Sequence, residues 1–429
     1  MSVGNWSSYR GKRVLLLQGP VGPYFGRLRR VLRSVGAEVH KVNFNGGDLL
    51  FYPLGATNWR GTLNDWPAFL EGLLDRLHID VVMLFGDCRP IHRIARDVAH
   101  RCGIQVGVFE EGYVRPNFVT FEHSGVNGHS LIPRNPDFYR GRPFRSSAAE
   151  NPVRHAFAFA ALWASLYYCA SSLLYFPFSH YQHHRRLSIL EAMPWWRAGW
   201  RKIFYRWTER KMLSALTGVL SKRYFLVPLQ TAEDYQVRQH STFDSIEDFI
   251  RATVSSFAAN APPETVLVIK HHPLDRGYCD YCQLISRLTT GSDLQGRVFY
   301  IHDQHLPTLF EYMRGAVVIN STVGFSALSH GAAVKTCGLA IYDMEGLTFQ
   351  GSVDDFWVEA AAFRPDMDLH RLFRSHLIDA TQINGNFYRG QPDAVGQSTI
   401  AQGAPPEPLR APRLLSVPNS DPAARVANA

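Results

Sequence analysis

The sequence predicts an α/β protein built from two Rossmann-like domains that are joined by a helical, aromatic-rich insert. Three observations support this prediction. Short β-branched apolar runs alternate with helical segments in both halves of the chain, as expected for parallel sheets covered by helices. An uncharged, aromatic stretch interrupts this alternation near the middle. The 429 residues, 46% of them hydrophobic, are enough for two domains rather than one.

Changes in composition along the chain give the expected boundaries. We predict a first domain at 1–150, an insert at 151–220 and a second domain at 221–390. Residues 391–429 are rich in Pro, Ala, Ser, Arg and Gly, which predicts a disordered tail.

Charge and cysteine content restrict the class of function. The 45 basic and 37 acidic residues give a formal net charge of +8 that is spread thinly along the chain. A nucleic-acid groove is therefore not favoured, whereas a membrane surface or an anionic substrate suits a basic, aromatic protein. The six cysteines lack disulfide spacing and predict a reducing cytoplasm. Cys279 and Cys282 form a lone C-x-x-C pair, so we expect no metal, and the N-terminus lacks a signal-peptide pattern.

The first domain is predicted to open with a strand at 13–17, a glycine-rich loop at 18–23 and a helix at about 26–35. This order is Rossmann-like but lacks the Gly-x-Gly-x-x-Gly fingerprint. Further strands are predicted at 38–44 and 79–85, followed by a helix at 91–102.

Two adjacent acids follow the next predicted strand, 104–108. The segment 109–116 reads Phe-Glu-Glu-Gly-Tyr-Val-Arg-Pro. Ligands of open α/β sheets bind at the carboxyl ends of strands, so Glu110, Glu111 and Arg115 stand where chemistry is expected. The alternative is a strand that ends in solvated acids and a turn.

The insert contains an uncharged apolar run at 156–179, for which three interpretations are open. The run forms interfacial or acceptor-binding helices, a buried interdomain helix pair, or a transmembrane span. Small polar residues and the break at Pro177 weigh against the span. A basic, aromatic cluster suited to lipid headgroups follows. Its members are Trp195, Trp196, Arg197, Trp200, Arg201, Lys202 and Arg206.

The second domain repeats the alternation. Strands are predicted at 224–230, 265–269, 298–301 and 316–319, with helices at 249–257, 306–313 and 323–330. Two such halves with a cleft between them are similar to the GT-B arrangement of glycosyltransferases, at the level of fold alone.

Three strand ends of this domain carry candidate residues. Asp234 suits a nucleophile, a base or a helix N-cap. Segment 270–273, Lys-His-His-Pro, suits a phosphate or a leaving nucleotide, or is a solvated loop; it offers too few ligands for a metal. Segment 320–326, Asn-Ser-Thr-Val-Gly-Phe-Ser, suits an anion at a helix start, or is an ordinary Ser/Thr cap.

Taken together, the motifs resemble the capsule polysaccharide biosynthesis and export proteins of the KpsS/LipB type. The resemblance covers about residues 12–390 in the family's order, and the combination is more specific than any single motif. The matching segments are Gln18-Gly19-Pro20, Gly86-Asp87-Cys88-Arg89-Pro90, Glu110-Glu111-Gly112-Tyr113-Val114-Arg115-Pro116, Gly125-Val126-Asn127-Gly128, Lys270-His271-His272-Pro273, Asn320-Ser321-Thr322-Val323-Gly324 and Ile383-Asn384-Gly385.

The resemblance implies a bacterial retaining β-Kdo transferase that uses CMP-Kdo as donor and needs no cofactor. Proteins of this type place the first Kdo on a lysophosphatidylglycerol acceptor and so start the linker on which capsule is exported. The cysteines and the basic, aromatic segment 156–206, with the phospholipid acceptor that the resemblance implies, predict a cytoplasmic enzyme attached peripherally to the inner membrane. Its partners would be CMP-Kdo, a phospholipid and other capsule assembly proteins, without nucleic acid.

The resemblance also assigns roles to residues. Related retaining Kdo transferases use an aspartate in a Gln-x-x-x-Asp context as nucleophile, which matches Asp234 after Gln230. Their acid in a Glu-x-Gly context matches Glu110, with Glu111 as the alternative, and their histidine before proline matches His272, with His271 as the alternative. The expected donor-binding residues are Gln230, Lys270, His271, His272, Asn320, Ser321, Thr322 and Gly324. The expected acceptor-side and cleft residues are Gln18, Gly19, Asp87, Arg89, Arg115 and Asn127.

Three other functions stay open at this point. One is a non-catalytic capsular polysaccharide export or glycolipid-binding protein, and another is a transferase that uses a UDP- or GDP-linked donor. The third is a nucleic-acid-binding protein, which the net charge permits.

Overall fold

The computed structural model describes residues 6–144, 156–181, 192–291 and 293–389, so the predicted tail at 391–429 lies outside the described residues. The strands are β1 (Arg13–Leu16), β2 (Glu38–Asn43), β3 (Thr57–Asn58), β4 (Val81–Phe85), β5 (Gln105–Glu111), β6 (Phe118–His123), β7 (Tyr224–Pro228), β8 (Val266–Lys270), β9 (Val298–Ile301), β10 (Gly315–Val318), β11 (Val334–Thr336) and β12 (Gln382–Asn384). The helices are α1 (Tyr24–Ser34), α2 (Gly46–Phe51), α3 (Trp66–Arg76), α4 (Pro90–Arg101), α5 (Pro136–Arg140), α6 (Ala156–Leu173), α7 (Ala192–Thr208), α8 (Arg210–Thr217), α9 (Tyr235–His240), α10 (Ile246–Asn260), α11 (Cys282–Thr289), α12 (Leu306–Tyr312), α13 (Thr322–Leu328), α14 (Val353–Glu359) and α15 (Met367–Thr381).

Two separate sheets organise the described residues. The first has the strand order β12-β6-β5-β4-β1-β2-β3, and the second has the order β11-β10-β7-β8-β9. All pairs of the second sheet are parallel. The first sheet is parallel from β3 to β5 and antiparallel where β6 and β12 are added.

Each sheet is buried on both faces, which explains its continuous apolar strands. In β1, Val14 and Leu16 pack into one core layer and Leu15 into the opposite one, because side chains alternate along a strand. In β7, Tyr224 and Phe225 divide in the same way between the two layers of the second sheet. Helices on both faces of a largely parallel sheet are the Rossmann-like architecture that the sequence predicted.

The end of the described chain returns to the first sheet. The predicted second domain extended to residue 390, but β12 pairs antiparallel with β6, with Ile383 opposite Val119. Helix α15 leads directly into this strand. A strand of three residues carries too little hydrophobic pattern to reveal its partner, so the sequence did not indicate this crossing.

The insert divides between the two domains instead of forming a unit of its own. Helix α6 packs on α2 of the first domain, where the Ser171 hydroxyl accepts from the Gly47 N–H at 3.0 Å. After α7, Glu209 binds the His302 ring of the second domain at 2.7 Å (Oε1–Nδ1). Among the described residues, no helix combines the length and the apolar character needed to cross a membrane.

The domains meet along the loops at the carboxyl ends of their strands. Cys88, which follows β4, lies 3.4 Å from His240 at the end of α9 (Sγ–Nε2). The Arg134 guanidinium donates to the Ala340 carbonyl across the same boundary at 3.1 Å. The predicted fold class, two Rossmann-like domains around a cleft in a GT-B-like arrangement, is confirmed.

Candidate active site

The adjacent acids of the first domain are the last two residues of β5. Because side chains alternate along a strand, the two carboxylates leave opposite faces of the sheet. The Tyr388 hydroxyl donates to Glu111 at 3.1 Å (Oη–Oε1), so Glu111 is hydrogen-bonded to the segment that follows β12. Glu110 is half-buried and lies within the electrostatic reach of Arg89 and Asp234, which puts it at the cleft.

The turn after β5 brings Arg115 to the same place. Gly112 is required there because a side chain would overlap the Phe118 carbonyl. The Arg115 Nε donates to the Gly112 carbonyl at 3.2 Å. Its charge acts on Asp234 of the second domain, so the arginine faces the cleft as well.

Asp234 is held by residues from the ends of two strands of the second sheet. It caps α9 by accepting from the Gln236 N–H at 2.9 Å. The Gln230 side-chain amide, after β7, donates to Asp234 Oδ2 and to Asn320 Oδ1, both at 3.0 Å. Asn320 follows β10. The N-cap interpretation is therefore correct, and the cap also orients the carboxylate towards the cleft.

The two facing carboxylates have different environments. Burial, with repulsion from Glu111 and Asp234, raises the pKa of Glu110 to about 7, against the opposing effects of the Glu111 N–H and Arg89. Burial also raises the pKa of Asp234, but hydrogen bonds from Gln230 and Gln236 and the Arg115 charge oppose the change. Asp234 accepts from the Gln230 side chain and the Gln236 N–H, whereas Glu110, with a pKa of about 7, can gain or lose a proton near neutral pH.

The Lys-His-His segment separates into buried and accessible groups. Lys270 is buried and its ammonium donates to the His302 carbonyl at 3.0 Å. His271 is buried with its Nδ1 2.6 Å from the Tyr300 hydroxyl. Burial lowers the pKa of Lys270 to about 8 and that of His271 to about 4. His272 is half-buried and accepts from the Leu274 N–H at 3.2 Å, so it is the more accessible histidine.

The loop after His272 lies beside the Asp234 loop. Asp275 accepts from the Ala232 N–H at 2.6 Å (Oδ2–N). This contact joins the strand ends of β7 and β8, as their parallel pairing requires.

The start of α13 is tightly packed. Ser321 caps the helix by accepting from the Val323 N–H at 3.2 Å, and the Tyr342 hydroxyl donates to the Ser321 carbonyl at 2.5 Å. A side chain at Gly324 would overlap Tyr342, which explains the glycine. Thr322 is half-buried. Asn320 is the member of this segment that contacts the Asp234 network.

A cavity of about 150 Å³ opens beside Arg89, whose charge acts on Glu110. Arg89 lines it and donates to Gln18 Oε1 at 3.0 Å, and the Tyr181 hydroxyl donates to the same oxygen at 2.9 Å. Tyr235, the residue after Asp234, also lines the cavity. The cavity thus contacts the first domain, the insert and the second domain.

The other predicted cleft residues, Asp87, Asn127 and Gly19, make structural contacts within the first domain. Asp87 is fully buried and accepts from the Val126 N–H at 3.2 Å, which fixes the loop before Asn127. The Asn127 N–H donates to the Tyr113 hydroxyl at 2.6 Å. Gly19 packs against the Phe25 ring with no space for a side chain.

Three side chains that could ligate a metal come together at the domain boundary. Cys88, His129 and His240 each offer one atom, and these atoms lie within 4.8 Å of one another. It is the one such group of three or more found in the described part of the chain.

Sequence reasoning missed several residues that the fold brings to the site. Gln236 joins Asp234 to Cys88, its amide lying 3.5 Å from Sγ. Tyr181 and Tyr388 reach Gln18 and Glu111 from remote segments. The position of Gln236 could have been predicted, because it is the third residue of the N-cap motif that begins at Asp234. The sequence around Tyr181 and Tyr388 carries no pattern that predicts their contacts.

Comparison with known proteins gives the family. Residues 80–388 match the family described as "Capsule polysaccharide biosynthesis protein". The "Capsule polysaccharide export protein KpsS" of Escherichia coli is 41% identical over 380 residues, which cover 88% of this chain and 97% of that protein. The "Capsule polysaccharide modification protein LipB" of Neisseria meningitidis serogroup A is 38% identical over 386 residues, 88% of this chain and 92% of the relative.

Among solved structures, the β Kdo 2,7 transferase KpsC of Thermosulfurimonas dismutans aligns with a TM-score of 0.38 at 14% identity, covering 85% of this chain and 99% of that one. The motif-based resemblance is confirmed by the sequence relatives. On the match of 80–388 and the identity over most of the chain, this protein belongs to the capsule polysaccharide biosynthesis family.

Proposed function

We propose that this protein is a retaining glycosyltransferase that moves Kdo from CMP-Kdo to a (lyso)phosphatidylglycerol acceptor and so initiates the β-Kdo linker for capsule export. The observation that carries the proposal is the pair Glu110 and Asp234. The two carboxylates come from different domains and act on each other across one cleft, and Asp234 is held by hydrogen bonds from Gln230 and Gln236. Such a pair suits one acid/base group and one nucleophile.

In this mechanism, the Asp234 carboxylate attacks the anomeric carbon of Kdo. The bond from that carbon to the phosphate oxygen breaks, and CMP leaves with the electron pair. An acceptor hydroxyl then displaces Asp234 and gives its proton to Glu110. Two inversions produce net retention, and neither step consumes a cofactor.

The leaving CMP is an anion, so its binding site should offer donors or positive charge. His272 is the accessible histidine of its segment, and its loop adjoins that of Asp234 through Asp275. Lys270 and the start of α13 (Ser321–Gly324) remain candidates for the same role. Lys270 would have to leave the His302 carbonyl to contact a phosphate.

The cavity beside Arg89 is the proposed entrance for the acceptor. Its aromatic walls suit an apolar or glycerol-like group, and the Arg89 guanidinium suits a phosphodiester. Tyr181 lines the cavity and belongs to the insert, the part of the chain that we propose contacts the membrane.

The decisive experiment mixes the full-length protein with CMP-Kdo and lysophosphatidylglycerol and reads the product by mass. We expect a lipid product heavier by one Kdo and an equal release of CMP. Asp234→Asn should lower the rate by orders of magnitude while CMP binding is kept, because the amide still caps α9 but cannot attack.

Asp366→Asn is the matched control. Asp366 also caps a helix, α15, by accepting from the Asp368 and Leu369 N–H groups. It should keep full activity, because asparagine caps as well as aspartate. More than about a tenth of wild-type activity in Asp234→Asn would refute the nucleophile assignment.

A non-catalytic export role is the second candidate, because the Escherichia coli relative is described as an export protein. The same assay separates the two. Binding of the glycolipid without release of CMP would support the export role over the transferase.

A further inference from the structure

The side chains of Cys88, His129 and His240 meet at a single point of the domain boundary. Cys88 follows β4, His129 lies in the short helical turn Asn127–His129 after β6, and His240 ends α9. Cys88 and His240 are buried, and His129 is half-buried. The first two ligands belong to the first domain and the third to the second.

The spacing of the three atoms fits a tetrahedral ion. Zn–S and Zn–N bonds of about 2.3 and 2.0 Å imply an S···N edge of about 3.5 Å in a tetrahedron. The distance between Cys88 Sγ and His240 Nε2 is 3.4 Å. The whole set lies within 4.8 Å, so small side-chain rotations would bring all three atoms into contact with one ion.

The surroundings supply a hydrogen-bonding shell. Asp87 Oδ2 lies 2.9 Å from His129 Nδ1, a carboxylate–histidine pairing of the kind that orients metal-binding imidazoles. The Arg96 Nη1 lies 2.8 Å from that nitrogen and 3.3 Å from the same carboxylate oxygen. The buried Asp87 thus balances the arginine charge next to the cluster.

We propose that Cys88, His129 and His240 bind a divalent transition-metal ion of the zinc type, with water at the fourth position, and that this ion fastens the two domains together. Binding converts the Cys88 thiol to a metal thiolate and releases one proton to solvent. No metal was predicted from the sequence, because Cys279 and Cys282 form a lone pair and segment 270–273 offers too few ligands; residues 88, 129 and 240 form no recognisable spacing. The proposal stands whether or not the protein transfers Kdo.

Cobalt is the probe for the test, because Co²⁺ takes the tetrahedral zinc geometry and its thiolate complexes absorb in the near ultraviolet. The full chain, without a polyhistidine tag and freed of metal by chelation, is titrated with Co²⁺. We expect one equivalent to bind with a thiolate-to-cobalt band. Added Zn²⁺ should abolish the band and raise the unfolding temperature.

Cys88→Ala should remove the band and the thermal shift, and His240→Ala should weaken binding at least tenfold. Cys102→Ala and His330→Ala, both at exposed positions, are the matched controls and should behave as wild type. The proposal is overturned if the wild type shows no thiolate band in excess Co²⁺, or if Cys88→Ala keeps it.

Discussion

Glu110 and Glu111 are neighbours on β5, yet they meet different partners. The period of two along a strand sends one carboxylate to Tyr388 and the other to the cleft. The consequence is chemical: Glu110 lies within the electrostatic reach of Asp234 and Arg89, whereas Glu111 accepts from the Tyr388 hydroxyl. Of the two candidate acids, Glu110 is therefore the one suited to an acid/base role.

The raised pKa of Glu110 predicts a pH-dependent stability effect. Its pKa of about 7, against an ordinary value of 4.5, means that the folded protein binds this proton more tightly than the unfolded chain. Between these values the contribution of Glu110 to stability falls as pH rises. Glu110→Gln removes the ionisable group. The unfolding temperature of the variant minus that of the wild type should therefore be more positive at pH 8 than at pH 5.

Glu111→Gln is the control for this measurement, since it changes the same functional group one residue further along β5. A Glu110→Gln difference that stays constant from pH 5 to pH 8 would be inconsistent with the raised pKa.

At the scale of elements, α7 carries an exposed aromatic face. Trp196, Trp200 and Trp207 are 74%, 72% and 66% exposed, and their spacings of four and seven residues place them on one side of the helix. Ile203 and Phe204, 70% and 56% exposed, continue this face. Exposed apolar surface of this kind, beside basic residues, suits a lipid interface.

The basic residues predicted to meet the membrane divide into two groups. Arg197 donates to the Gly277 carbonyl at 2.7 Å and Arg201 to the Arg276 carbonyl at 2.9 Å, so both dock α7 on the second domain. Lys202 and Arg206 are exposed. Substitution of Lys202 and Arg206 is therefore the better test of whether basic residues attract this surface to anionic headgroups.

We expect the triple variant Trp196→Gln, Trp200→Gln, Trp207→Gln to bind anionic phospholipid vesicles at least tenfold more weakly than wild type, since interfacial tryptophans bury large apolar areas. Lys202→Gln with Arg206→Gln should also weaken binding and reduce its salt dependence, at about 1 kcal/mol per charge. Vesicle co-sedimentation measures both effects.

Phe144→Gln provides the control. Its ring is 51% exposed and is covered by the Arg371 guanidinium of α15. It should leave vesicle binding unchanged. Equal binding by the tryptophan variant and the wild type would mean that α7 is not the membrane contact.

At the scale of the whole molecule, the closeness of the domains depends on a glycine. Gly128 of the first domain packs directly on the His240 ring of the second, and a methyl group there would overlap the ring. The two domains can approach this closely only because position 128 has no side chain.

Gly128→Ala should therefore increase the separation of the two domains, because the new methyl group would overlap the His240 ring. We expect a loss of about 1–3 kcal/mol of stability, the usual cost of overpacking, and a larger radius of gyration in solution scattering. His240→Ala should relieve much of this loss in the double variant, because it creates space for the methyl group.

Gly72→Ala is the matched control. Gly72 lies in α3 with open space around its Cα, so alanine should stabilise the helix by up to about 1 kcal/mol. If Gly128→Ala is as well tolerated as Gly72→Ala, the domains do not pack closely at this point.

The sequence by itself determined the secondary structure and the repeated architecture of this protein. Strands β1, β7 and β9 lie where apolar runs predicted them, because a strand buried on both faces needs such a run. It also determined the family, because the order of several short motifs is more specific than any one of them. Local pattern alone predicted Asp234 and Asn320 at strand ends, and the family resemblance added Gln230.

Only the tertiary structure decided which groups share an environment. The different surroundings of Glu110 and Glu111, and of His272 and His271, depend on partners more than 25 residues away along the chain, Tyr388 and Tyr300. The return of β12 to the first sheet and the meeting of Cys88, His129 and His240 likewise depend on long-range packing. Burial and distance set proton affinity and metal-binding geometry, and neither quantity exists until the domains have packed together.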